Sequence, residues 1–589
     1  MCGIAGVMMA DGTTPDAALL DLLERALAHR GPDGTGSYVK DDIGLVHARL
    51  AIIDLTSGDQ PLFGPRGCAL VANGEIYNYI ELREKSLPGA TFRTGSDCEP
   101  ILHLYDRMGA EATSQLRGMY AFALHDPERR SLTVARDPFG IKQLYYIETP
   151  RCFAFASEPQ ALIAAGLIDA EMAPRPAGEL LQLQFTTGAE TIFSGIRRLL
   201  PGETLTVTQG RITARKIQAA LPAGGPRAVG EAEALRRLDD ILMDSVNVHQ
   251  RADVPYGLFL SSGVDSAAIL TCMARLDTNP VQAYTACFPR TGVHDEYDEA
   301  HKLAKAMGAH HIKVEITADD FWRQLPKIVA CVDDPTADYA IVPTYILARE
   351  AAKDLKVVLC GEGGDEIFAG YSRYRRQIRP WWLGGRVRRR TGPFSDNAIL
   401  FETPADWRNG IVAAETASAL PGRSKLQIAQ ATDCADWLAH SLLVKLDRCL
   451  MAHGLEGRTP LLDPVVGDFG FCLPEELKLR RGRGKYLMRR WLEEHVQDSP
   501  AFAKKKGFTV PVGDWIAGQG EKLGPLVAAD PAIQAIAPAD KVKAAFSGRD
   551  RHALEGAWRL LFFALWHRRH IRGIAPDGDV FECLAHPHG

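Results

Sequence analysis

Cys2 stands directly behind the initiator methionine. Once Met1 is removed, a thiol and a free α-amino group share one residue. An α-amino group has a reference pKa of roughly 7.7–8.0, so it can take the thiol's proton near neutral pH. Nucleophile and base then need no separate histidine. A second chemistry is written at Ser261-Ser262-Gly263-Val264-Asp265-Ser266, between the apolar run ending at Leu260 and the helical pattern from Ala267. Small residues there let backbone N–H groups converge on an anion at a helix N-terminus. The loop is not of the GxxxxGK[ST] kind, which the chain lacks. A third cluster, Gly361-Glu362-Gly363-Gly364-Asp365-Glu366, follows the apolar run Val357–Cys360 and mixes acids with glycines. Mg²⁺ is usually held by one or two carboxylates plus substrate phosphates, and Asp265 and Asp365 are the pair expected to do so. Glu362 is placed to act as a general base.

Around Cys2 the stretches Cys2–Val7 (CGIAGV), His29–Gly34 (HRGPDG), His47–Leu50 (HARL), Asn73–Asn78 (NGEIYN) and Gly95–Glu99 (GSDCE) occur in order. Together they resemble the class II glutamine amidotransferase domain, an N-terminal-nucleophile hydrolase, from Cys2 to about Pro201. The resemblance implies that Cys2 attacks the side-chain amide of glutamine, that Arg49 holds the α-carboxylate, and that Asp97, with Glu75 nearby, receives the α-ammonium. It further implies an oxyanion hole from the Asn73 side chain and the Gly74 backbone N–H. Read alone, Asn73-Gly74 is also a hairpin-turn dipeptide and Asp97 a helix cap. The loop at 261–266 resembles the SGGxDS pyrophosphate loop of ATP pyrophosphatases, which implies ATP contacts from Leu260, Ser261, Ser262, Gly263, Asp265, Ser266, Gly361 and Glu362. Ser262 departs from the pattern, where glycine is usual, and a serine is strained wherever φ must be positive. The 361–371 stretch resembles the asparagine synthetase signature. So do Leu443–Arg448 (LVKLDR), Ala452–Glu456 (AHGLE), Pro460–Asp463 (PLLD), Gly484–Leu487 (GKYL) and Lys504–Phe508 (KKKGF), over about 235–570. In that family Lys485 would contact the developing negative charge on the phosphates and the acyl intermediate; Glu362, on its own chemistry, is expected as the base that deprotonates the attacking nitrogen.

Those residues need elements to carry them. Up to about residue 210 the apolar runs are short and often alternating, as in Cys68–Ala72 and Tyr120–Leu124, and read as strands. Helical patterns interrupt them near 17–28 and 99–108. The expected fold is an α+β layered sandwich (αββα) of the N-terminal-nucleophile hydrolase kind. An α/β parallel-sheet ATP-pyrophosphatase domain with a helical C-terminal region follows it. The boundaries are read as 1–210 for the glutaminase domain, 211–230 for a linker centred on Leu221–Pro226, and 231–589 for the synthetase domain.

Bulk properties exclude other classes. At 589 residues the chain exceeds what one core holds. With 46% hydrophobic and 24% charged residues it is not a disordered chain. A formal net charge of −5 argues against a coat for nucleic acid or anionic membrane. Twelve cysteines without a CxxC pair or a dense framework read as reduced thiols, and the N-terminus lacks a leader pattern, so a cytoplasmic protein is expected. The run Leu560–Trp566 is far shorter than the ~20 residues of a spanning helix and reads as buried. The arginine-rich stretch Arg373–Arg390, with Trp381 and Trp382 inside it, reads as a solvated loop. Asp298-Glu299 reads as a helix N-terminal cap. Asp338 and Tyr339 are candidate lining residues for an acceptor pocket.

The two halves explain one another. The first releases ammonia from glutamine; the second activates a carboxylate with ATP and Mg²⁺ as an acyl-adenylate, and ammonia attacks it to give an amide and AMP. An internal passage between the sites is implied by the resemblance, with aspartate as the default acceptor. The partners expected are therefore glutamine, ATP and aspartate, with no nucleic acid and no membrane, in a homo-oligomer such as a dimer. Three rivals stand beside this reading: the same machinery acting on another carboxylate (peptide, glycan or secondary metabolite), a class II amidotransferase with a phosphoribosyl or sugar-phosphate acceptor, against which the loop Ser261–Ser266 argues, and a non-catalytic glutamine or nucleotide sensor.

Overall fold

A computed structural model describes residues 2–586 except 294, 384, 386–391, 395–398, 403–404, 497–500 and 503–509. The Lys504–Phe508 motif, Met1, and Arg386, Arg388, Arg389 and Arg390 of the arginine-rich stretch therefore lie outside the described residues.

The N-terminal region is built from two 6-stranded sheets whose paired strands run antiparallel. One centres on the strands Gly3–Met9 and Ile43–Arg49, the other on Ala69–Ile76 and Gly118–Asp126. Strand side chains alternate between faces, and the sequence uses the period to fill two cores. Ile4, Met8, Ile43, Leu45 and Val71 join one cluster between the sheets. Ala5, Val7, Val46 and Ala48 turn outward onto the helix Ala17–Leu27, which buries Leu20, Leu23 and Leu27. Leu70, Ala72 and Ile76 turn outward on the second sheet to meet the helix Glu99–Met108. Helix, sheet, sheet, helix is the expected αββα sandwich. Parity then does functional work: Cys2 shares a face with Ile4, Arg49 with Leu45, and Asn73 and Glu75 with Val71. All four therefore point into the gap between the sheets. Asn73-Gly74 lies inside a strand, so the hairpin-turn reading does not hold.

The strand Arg211–Ile217 still pairs with Glu203–Thr208, so the sheet runs past residue 210 into the stretch expected to be linker. After the connector, the helix Glu231–His249 leads into a 5-stranded sheet. Its strands, in spatial order, are His310–Glu315, Gln282–Cys287, Tyr256–Phe259, Val357–Leu359 and Glu456–Arg458, all parallel. Both faces are covered. Val357 and Leu359 join the cluster of the helices Glu231–His249 and Val264–Leu276, while Val358 joins that of Ile341–Ala351. Burial on both faces is why these strands read as continuous apolar runs instead of alternating ones. The C-terminal region is helical; Leu560–Trp566 is buried inside the helix Arg551–His570, and no helix among the described residues is long and apolar enough to cross a membrane.

The two halves share hydrophobic clusters; in one of them Leu50, Ile52, Met119, Phe139 and Ile141 of the first pack with Leu260, Leu359, Ile367 and Leu461 of the second. Ion pairs also cross between them, each with a buried carboxylate. Arg30 grips Asp447 with both nitrogens at 2.8 and 3.1 Å, Arg198 holds Asp334, and Arg117 reaches Asp463 at 2.7 Å.

Candidate active site

Cys2 sits at the mouth of the first strand, buried, with its backbone N–H donating to Asn73 Oδ1 at 3.0 Å. That bond fixes the amide of Asn73, and its Nδ2 is left buried with no hydrogen-bond acceptor among the described residues. A buried donor without a partner is costly unless something arrives to accept from it. Gly74 follows because the neighbouring strand crosses tightly: a Cβ there would lie 2.1 Å from the Met119 carbonyl oxygen. Burial pushes the Cys2 thiol above its ordinary pKa, with Glu456 adding to the rise and Arg49 opposing it.

The charged groups around Cys2 are arranged in two layers. Asp97 accepts from the Ile76 N–H at 2.6 Å, and burial pushes its carboxyl up to about 6. It does not cap the following helix, whose N-cap position is Cys98 without a side-chain bond. Arg49 is buried and donates to Asp59 Oδ1 at 2.6 Å and to the Asp54 carbonyl oxygen at 2.5 Å. Glu75 is paired with Arg458 of the second half at 3.1 Å, and burial, reinforced by Glu456, holds its carboxyl well above the usual range. Arg458 is itself fully buried between Glu75 and Glu456, and its carbonyl oxygen accepts from the Cys360 N–H at 2.8 Å. One residue thus reaches Glu75 of the first half through its side chain and the start of the Gly361–Glu366 turn through its backbone.

In the second half the strand Tyr256–Phe259 delivers the loop 260–263 to the N-terminus of the helix Val264–Leu276. The loop is knit by its serines: Ser266 Oγ accepts from the Ser261 N–H at 3.1 Å and Ser261 Oγ from the Gly263 N–H at 3.1 Å. Ser262 is not among the residues with positive φ, so serine fits there without strain; its N–H donates to Glu296 at 3.2 Å. Leu260 is buried in the strand end, tied by its N–H to the Tyr284 carbonyl oxygen at 2.9 Å.

Lys485 lies at the centre of this site. Its ammonium contacts Asp265 and lies 2.7 Å from Asp365, and the side chain is 3% exposed. Burial pulls the ammonium down, but the two carboxylates outweigh it and hold its pKa above the ordinary value. The residue adopts a left-handed backbone, φ 56°, strained for a lysine, with its N–H tied to the Phe368 carbonyl oxygen at 3.1 Å. Glycines make room for the group. A Cβ on Gly364 would meet Asp265 Oδ1 at 2.3 Å, and one on Gly370 would meet Asp365 Oδ1 at 1.8 Å. Two carboxylates converging on one cation, beside a loop of small residues at a helix N-terminus, are a donor set that would fit Mg²⁺ shared with phosphates. Burial raises the Glu362 carboxyl, opposed by Lys445, whose ammonium lies 3.1 Å from Asp338.

Other sequence expectations fall elsewhere. Arg373 is not part of a solvated loop: it is paired with Asp433 at 2.7 Å and stacked on Tyr371. Asp298 and Glu299 lie in the first turn of the helix Tyr297–Ala306, after the N-cap Glu296, so they favour its dipole without capping it. Asp59, Lys445 and Arg458 were not expected as site residues. Lys445 sat inside a quoted motif without a role; for Asp59 and Arg458 no local pattern marks a partner so distant or so exposed.

The chain matches two family models: "Asparagine synthase" over residues 237–568 and "Glutamine amidotransferase domain" over residues 1–218. "Asparagine synthetase [glutamine-hydrolyzing] 1" of Bacillus subtilis is 32% identical over 97% of this chain and 97% of its own length. "Asparagine synthetase B [glutamine-hydrolyzing]" of Escherichia coli is 29% identical over 88% of this chain and 83% of its own. A solved glutamine phosphoribosylpyrophosphate amidotransferase from B. subtilis is 20% identical over 53% of this chain and 65% of its own, with a TM-score of 0.28, too slight a likeness to bear on the reaction.

Proposed function

The chain belongs to the asparagine synthase family, and from that membership and the geometry of its two sites we propose that it is a glutamine-dependent asparagine synthetase. With Met1 removed, the α-amino group of Cys2 takes the thiol's proton and the thiolate attacks the glutamine amide. Asn73 Nδ2 and the Gly74 N–H receive the oxyanion, a contribution of about 3–4 kcal/mol for a well-placed donor. The α-amino group hands its proton to the departing ammonia, and water then releases glutamate. Arg49 holds the α-carboxylate. Asp97 holds the α-ammonium, with Glu75 behind it, fastened to Arg458.

In the second half the loop 260–266 cradles ATP phosphates, and Lys485 steadies the charge that grows as the aspartate side-chain carboxylate displaces pyrophosphate. Mg²⁺, held by Asp265, Asp365 and phosphate oxygens, would supply further neutralisation there. Ammonia then attacks the aspartyl-adenylate and Glu362 takes a proton from the attacking nitrogen, its raised pKa suiting it to that task. Asparagine and AMP leave. Ammonia must travel neutral between the sites, and an apolar lining disfavours its protonated form. The observation that carries the reading is that both matched families occur in one chain whose halves join in an apolar cluster, with Leu50 beside Cys2 and Leu260 at the start of the loop 260–266.

The test measures asparagine, AMP and pyrophosphate from aspartate, ATP and Mg²⁺, with glutamine or ammonium as nitrogen source. Wild type should use both sources and Cys2→Ala only ammonium, and the intact mass should show Met1 removed. Glutamine hydrolysis without aspartate-dependent pyrophosphate would overturn the assignment of aspartate.

A further inference from the structure

Arg49, assigned above to the α-carboxylate of glutamine, already holds a carboxylate. Its Nη1 donates to Asp59 Oδ1 at 2.6 Å while Nη2 is taken by the Asp54 carbonyl oxygen. The exposures are lopsided: the arginine side chain is 9% exposed and that of Asp59 is 79% exposed. A surface acid thus reaches a buried cation from the solvent side. The backbone on both sides of Asp59 is pinned. Asp54 accepts from the Ser57 N–H at 2.9 Å and the Gly95 N–H at 2.7 Å, and the Gln60 side chain is bonded to the backbone of Ala72, next to Asn73. Gly58 passes so close that a Cβ there would lie 2.7 Å from Arg49 Nη2. The loop is therefore fixed over Arg49, while the Asp59 side chain stays in solvent and can turn away.

We infer that Asp59 is a displaceable stand-in for the α-carboxylate of glutamine, a residue that sets the KM for glutamine without touching the reacting amide. The inference rests on Arg49 being the carboxylate anchor. A buried guanidinium left without an anion is unfavourable, so the empty site is steadied by Asp59 and the substrate exchanges one carboxylate for another. The exchange stays easy because an ion pair with one exposed partner is weak, corresponding to about a two- to fivefold bias in an equilibrium.

The experiment uses the full-length protein and separates KM from kcat for glutamine hydrolysis in wild type, Asp59→Asn, Asp59→Ala and Arg49→Met. Both Asp59 variants should lower the KM for glutamine about two- to fivefold, with kcat and ammonium-driven synthesis unchanged. A KM unchanged or raised in both would overturn the role of Asp59. If Arg49→Met raises the KM steeply at the same time, the anchor reading survives that loss. If Arg49→Met leaves the KM at its wild-type value, the anchor reading falls and the role of Asp59 falls with it.

Discussion

Asp97 shows how a single buried carboxyl gives the glutaminase half a pH signature. Burial pushes its pKa up to about 6, and as an anion it would face the substrate's α-ammonium. As pH falls through about 6 the carboxyl gains a proton and that attraction is lost. The α-amino group of Cys2 also protonates on the way down, so the two losses compound. The slope of log(kcat/KM) for glutamine against pH should therefore steepen below about pH 6. Asp97→Asn should remove the steepening and raise KM above about pH 6, converging on wild type below it, while ammonium-driven synthesis stays as in wild type. A profile that keeps its steep limb in Asp97→Asn would assign the titration to another group.

The helix Glu99–Met108 anchors the loop that presents Asp97, and it does so through its first residue. The Glu99 carboxylate accepts from the Arg93 N–H at 2.7 Å, the Thr94 N–H at 2.8 Å and the Thr94 hydroxyl at 2.7 Å. Burial alone would raise its pKa, but bonding from His103, Arg93 and Thr94 outweighs it and leaves a value of about 2. With the folded pKa depressed, this stabilisation is fully present above the ordinary carboxyl range and is lost progressively as pH falls from that range to about 2. Glu99→Gln keeps the shape but weakens the charge-assisted bonds, and should lower stability near neutral pH by about 2 kcal/mol. Urea unfolding at pH 7 and at pH 3 checks this, with the difference between variant and wild type shrinking at the lower pH. This element was legible in advance: the helix begins at the predicted residue, because Pro100 suits a first turn and apolar positions recur at helical spacing.

At the scale of the whole molecule, the ion pairs between the halves do what neither half could do alone. Arg30 donates to the carbonyl oxygen of Cys2 at 3.2 Å and to Asp447 of the second half, and both side chains are buried. Asp447→Asn leaves Glu158, 2.7 Å away, as the carboxylate paired with Arg30, and should destabilise the protein by about 3 kcal/mol. It should also raise the glutamine hydrolysed per asparagine formed, since the backbone of the nucleophile loses its fastening to the synthetase half. Calorimetric or urea unfolding, together with the glutamate-to-asparagine ratio, reads both effects.

Much of this molecule could be read from residues alone, for a physical reason. Strand alternation, helix spacing, and small residues at phosphate loops and tight crossings are local consequences of backbone geometry. Thus Cys2, the loop 260–266 and the acid-rich turn at 361–366 stood out, as did the order of sandwich, connector and parallel sheet, whereas Asn73-Gly74, a hairpin turn when read alone, lies inside a strand. The tertiary structure decided which charges meet. Nothing near Glu75 in the chain announces Arg458, nothing near Lys485 says that it will bridge Asp265 and Asp365, and nothing marks Asp59 as the acid that reaches Arg49. Electrostatic partnership depends on distance in space and on how much water has been excluded between the groups. Both are set only when the sheets and the two halves have packed.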